Sequence, residues 1–75
     1  MNYRDKVITL NNGNKYIVVE QVDYENGIYL YLSNRDDKLD NIVVKVNGDS
    51  ILQIDPELYE TKILPLFLEK FKTNN

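Results

Sequence analysis

The sequence predicts an α+β fold: a five-stranded antiparallel β-meander, strongly twisted or half-barrelled, with a C-terminal α-helix kinked or broken near Pro65. Three observations lead there. Each of the three glycines follows an asparagine, at Asn12-Gly13, Asn26-Gly27 and Asn47-Gly48. Asn-Gly tolerates the positive φ of tight hairpin turns. The runs between these pairs are rich in Val, Ile and Tyr, which suit a pleated surface. After the last run, Asp55-Pro56-Glu57 reads as a helix start, followed by apolar residues at helical spacing.

The expected strands are 6–10, 15–24 ("KYIVVEQVDY"), 28–33 ("IYLYLS"), 41–46 ("NIVVKV") and 50–54 ("SILQI"). Alternation tests the turns. A three-residue loop, Glu25-Asn26-Gly27, sets Tyr24 opposite Ile28, Val22 opposite Leu30 and Glu20 opposite Leu32. One face is then apolar, and Tyr29 and Tyr31 fall on a wet outer face. A slip of one residue mixes polar with apolar partners, which favours this loop. The same test on the last hairpin favours Asn47-Gly48-Asp49, with Val44 opposite Leu52. The first hairpin is left undecided. Between the third and fourth runs, "NRDDKLDN" (34–41) reads as an exposed polar loop.

In the helix, Ile63, Leu64, Phe67, Leu68 and Phe71 share one face, and Lys70 and Lys72 suit the negative end of the dipole. Pro65 removes a hydrogen bond and crowds the preceding turn, at a cost of roughly 3 kcal/mol. The helix either kinks there or restarts with Pro65 in its first turn. Residues 1–75 are expected to form a single domain, 1–54 the sheet and 55–73 the helix.

Composition narrows function. Seventy-five residues bury only about 60–65% of the unfolded surface. There is no cysteine and no histidine, so neither disulfides nor thiolate or imidazole metal sites are expected. The formal charge of −3, with both signs interspersed, lacks the basic face that nucleic-acid binding needs. No secretion signal opens the chain and no 18-residue apolar run spans a membrane, so a cytoplasmic setting is expected. The absence of alanine and the abundance of Asn, Lys, Ile and Tyr point to an AT-rich genome.

No constellation of catalytic residues emerges. Asp36, Asp37 and Asp40 lack the glycine and glutamate of a calcium loop. Ser33 and Ser50 have no histidine to activate them. Glu20 is the one acidic residue on the predicted apolar face; it either sits at the sheet rim or pairs with a lysine, and without a second group no reaction class follows. Neither a phosphate loop nor any cofactor motif is present. The remaining candidates are apolar. Leu58, Tyr59 and Leu66 project from the helix away from its main stripe, and Tyr29 and Tyr31 lie on the outer sheet face. Gathered in one patch, these five would mark a protein interface or a homodimer contact; alternatively, the break at Pro65 turns them inward. Tyr16, Tyr24, Tyr29 and Tyr31, the last two on one face, also suggest a stacking platform for single-stranded nucleic acid, against which Asp23 and Glu25 weigh.

The stretch "VITLNNGNKYIVVEQVDYENGIYLYL", the acidic loop, two short strands and the closing "LPLF" helix together resemble a loose group of short uncharacterised proteins of low-GC Gram-positive bacteria and their phages and mobile elements. The resemblance implies no active site. It implies a small, non-enzymatic interaction module, in its specific form an inhibitor of a host protein such as a defence nuclease. The alternative expectation is a single-stranded nucleic-acid binder.

Overall fold

The computed structural model describes residues 2–73. Five strands, β1 (Val7–Thr9), β2 (Lys15–Tyr24), β3 (Gly27–Asn34), β4 (Asn41–Asn47) and β5 (Ser50–Gln53), form one antiparallel sheet in chain order. The sheet curls into a half-barrel, and a C-terminal helical segment follows.

The asparagine–glycine pairs do mark the three hairpins, but each uses its glycine differently. In the first, the Leu10 N–H donates to the Asn14 carbonyl (3.0 Å), the Gly13 N–H donates to the Leu10 carbonyl (2.9 Å), and Gly13 lies at φ +84°. This is the three-residue loop with a left-handed glycine. The second hairpin was expected to share it and does not. Tyr24 pairs with Gly27 across a two-residue turn whose members, Glu25 (φ +47°) and Asn26 (φ +67°), are both left-handed. That is a type I′ turn, which matches the sheet's twist. Gly27 is instead the first residue of β3, where an added Cβ would lie 3.0 Å from Lys45 Cε and 3.3 Å from the Tyr24 carbonyl oxygen. The third hairpin is also a two-residue turn, Gly48-Asp49, with Asn47 opposite Ser50 and Gly48 at φ +61°.

These shorter turns correct the expected register. Val22 faces Tyr29, not Leu30, and Val44 faces Gln53, not Leu52. They also reassign the faces. On β3, Leu30 and Leu32 point into the curl with Tyr16, Val18 and Val44. Tyr29 points the other way with Val22, into a second core that the helix completes with Ile63 and Phe67. A β-bulge between Val18 and Glu20 lets β2 serve both cores. Up to Val18 its even-numbered residues face the concave core; from Val22 on they face the helix.

The helical segment starts as read from the sequence. The Asp55 side chain accepts from the Glu57 N–H and Pro56 takes the first position. One α-turn, α1 (Pro56–Leu58), leads into a π turn at Tyr59–Ile63 and then α2 (Leu64–Thr73). The Leu64 N–H reaches back to the Tyr59 carbonyl, so the altered ladder lies directly ahead of Pro65, where a normal ladder cannot continue. Ile63 and Phe67 are fully buried; Leu64 and Phe71 are half-buried; Leu68, assigned by spacing to the covering face, is 56% exposed.

Candidate interaction groove

The five residues expected to mark an interface lie together, but in the helix–sheet core. Tyr29 is buried; Tyr31, Leu58, Tyr59 and Leu66 are half-buried and pack on the cluster of Val22, Tyr29, Ile63 and Phe67. The wider turn ahead of Pro65 brings Leu58, Tyr59 and Leu66 onto the sheet, and the face expected to be wet is the one covered. The Tyr31 ring meets Phe67 and Phe71 edge-on, with centroids 5.6 and 5.4 Å away. Lys45 Nζ stands 5.9 Å over the Tyr29 ring. Burial first, and then neighbouring Tyr31 and Glu60, push the Tyr59 hydroxyl above its ordinary pKa. Tyr31 and Tyr59 also border a small hollow of about 230 Å³ beside Ile54 and Pro56.

The open surface is on the opposite face of the sheet. The curl stops short of closure, and both edge strands, β1 and β5, border one groove of about 780 Å³. Its floor is Leu30, Val44 and Val46, and its walls are Ile8 and Leu10 on one side and Ile51 on the other. The charged residues in its lining are Lys6, toward β1, and Asp49, toward β5.

Local structure holds the groove's β1 side. The Tyr3 N–H donates to Gln21 Oε1 at 2.6 Å, and its ring packs on the concave core beneath Lys6 Nζ, 5.6 Å from the centroid. Asp5, at φ +70°, donates its N–H to the Val18 carbonyl, and the Val18 N–H donates to the Lys6 carbonyl. Beside them, Arg4 Nε stands 3.4 Å from Glu20 Oε1, and the buried carboxylate also accepts the Gln21 N–H at 3.0 Å. Glu20 is therefore a cation-paired structural residue.

The polar loop after β3 is tied down by one carboxylate. Asp40 Oδ2 accepts from the Tyr16 hydroxyl at 2.6 Å and from Asn34 Nδ2 at 3.1 Å, and the Asn34 N–H donates to the Asp40 carbonyl at 2.9 Å. The hydrogen bond to Asp40 raises the Tyr16 pKa. The same bond, with Asn34's, holds the Asp40 carboxyl below its ordinary value. Among the described residues no group of three acidic side chains is placed to hold a metal ion, and no helix is long and apolar enough to cross a membrane.

Sequence reasoning missed the groove although it placed every lining strand. The signal lay in Ile8, Leu10 and Ile51, apolar residues on edge strands that the helix was assumed to cover. No protein-family model, curated protein or solved structure matches the chain.

Proposed function

We propose that the protein is a small, non-enzymatic interaction module that binds another protein in the groove between β1 and β5. One observation carries this reading: an apolar cleft of about 780 Å³ lies between two unpaired strand edges. An unpaired edge offers a row of backbone donors and acceptors to another chain. Apolar surface beside it adds roughly 25 cal/mol per Å² covered, before the cost of association. The likeness to short proteins of mobile elements makes host proteins such as defence nucleases the first partners to try.

The test is positional. A photo-crosslinking side chain placed at Gln53, which opposes Val44 and lines the groove, is compared in host lysate with one at Leu68, on α2. Both positions are exposed. A discrete protein adduct from Gln53 and none from Leu68 supports the groove. Adducts of equal yield from both positions, or from Leu68 alone, overturn it.

A further inference from the structure

We infer that the occupant of the groove is a short extended segment of a partner protein, added as a sixth strand antiparallel to both β1 and β5; this rests on the reading above. Strand parity is the first argument. Each neighbouring pair in the sheet is antiparallel, so β1 and β5, separated by three strands, run in the same direction. Direct closure would need a parallel seam. One inserted strand running the other way pairs antiparallel on both sides, the pattern of the rest of the sheet.

Backbone direction is the second. The Leu10 N–H to Asn14 bond and the Val18 N–H to Lys6 bond show residues 6 and 10 turned toward β2, which leaves the amides of Val7 and Thr9 facing the seam. On β5, Ser50 and Leu52 oppose Asn47 and Lys45 as the bonded pairs of a two-residue hairpin, so Ile51 and Gln53 face outward. Edges of three and four residues suit a segment of about four or five residues, with aliphatic side chains at alternate positions entering the groove.

Charge is the third. Lys6 precedes β1 and Asp49 precedes β5, so both lie at the same end of the seam, and the rest of the lining is uncharged. A segment without charge along its middle buries none unpaired. Its C-terminal end falls between the two opposite charges.

The probe is a random seven-residue peptide library panned against the folded protein. Enriched peptides are expected to alternate aliphatic and polar residues. The tightest of them should slow amide hydrogen exchange at Val7, Thr9, Ile51 and Gln53. Gln53→Pro removes one seam donor without touching the β4 ladder and should weaken that peptide at least tenfold; the exchange measurement stands even if this variant folds poorly. Binding that protects none of these amides and survives Gln53→Pro, yet is lost in Ile51→Lys, overturns strand addition and leaves groove binding intact. Binding insensitive to both substitutions, or no enriched peptide, overturns both. Protection of the same amides on raising the concentration of the protein alone, with a dimer by light scattering, makes the occupant a second copy and overturns the partner segment.

Discussion

Val18 and Val22 stand four residues apart on β2 and are buried on opposite faces of the sheet. A regular strand would put both on one face, because its side chains alternate with period two. The bulge between Val18 and Glu20 supplies the missing half-step. With it, β2 contributes Tyr16 and Val18 to the concave core and Val22 to the helix-covered core. Val19 is the extra residue, so deleting it joins Val18 to Glu20 with their partners Leu32 and Tyr31 unchanged and leaves Val22 and Tyr24 on the helix side. We expect the deletion variant to keep cooperative urea unfolding; loss of cooperativity would show that the bend at the bulge, and not only the change of face, is needed. Val19→Ala, at a 44% exposed position, should cost no more than about 0.5 kcal/mol.

The second hairpin separates two demands that the Asn-Gly pair had seemed to join. Glu25 holds φ +47° with a side chain that disfavours it, whereas Gly27 is required for space. Glu25→Asn should therefore stabilise the protein by about 0.5 kcal/mol, since asparagine accepts the left-handed region. For a domain this small that is a rise of about 2–4 °C in Tm. Gly27→Ala should cost about 1 kcal/mol or more, because the new Cβ meets the Tyr24 carbonyl oxygen and Lys45 Cε. Thermal melts of both variants check the pair.

This hairpin also shows what was legible in the sequence. Turn residues and β-branched runs located all the strands, and Asp55-Pro56 located the helix start. Register was not legible, because left-handed Glu25 breaks local preference and only the pairing of the whole sheet enforces it. Nothing near Val19 marks a bulge, so the faces of β2 and β3 were assigned as if the alternation were continuous. The helix was then laid over the wrong face, and the five apolar residues that build its contact with the sheet looked surplus. The groove was hidden by the same error, since its existence depends on which side the helix leaves open.

Leu66 and Leu68 test the helix placement directly. Leu66 is half-buried against the helix-side core, whereas Leu68 is 56% exposed. Leu66→Lys should destabilise the folded monomer by about 1–3 kcal/mol, as a charge replaces packed apolar surface. Leu68→Lys should change stability by no more than about 0.5 kcal/mol. Phe67→Ala, at a fully buried site, should cost about 3–5 kcal/mol and leave little folded protein. Urea titrations should rank the cost of Phe67→Ala above that of Leu66→Lys, and Leu66→Lys above Leu68→Lys, and equal effects at Leu66 and Leu68 would mean the helix is rotated from this position.

Asp40 and Tyr16 set the pH limits of the loop that follows β3. The Asp40 pKa in the folded protein lies below its ordinary 3.8, because Tyr16 and Asn34 donate to the ionised form. The unfolded chain therefore binds the proton more readily, and the stability this group contributes is present above pH 3.8 and lost as pH falls through the folded value. Tyr16 has the opposite sign. Its pKa is raised above 10.0, chiefly because its hydroxyl donates to Asp40, so its contribution is full below pH 10.0 and fades as pH climbs through the folded value. One hydrogen bond thus weakens at both extremes. Tyr16→Phe keeps the buried ring and removes only the donor. We expect its urea midpoint to fall below that of the parent at pH 7, and the gap to narrow below pH 3.8 and again above pH 10.0. Asp40→Asn should flatten the same two limbs, since it removes the charge on which both shifts depend. A gap between Tyr16→Phe and the parent that stays constant across the whole range would show that the loop is held by Asn34 and the backbone alone.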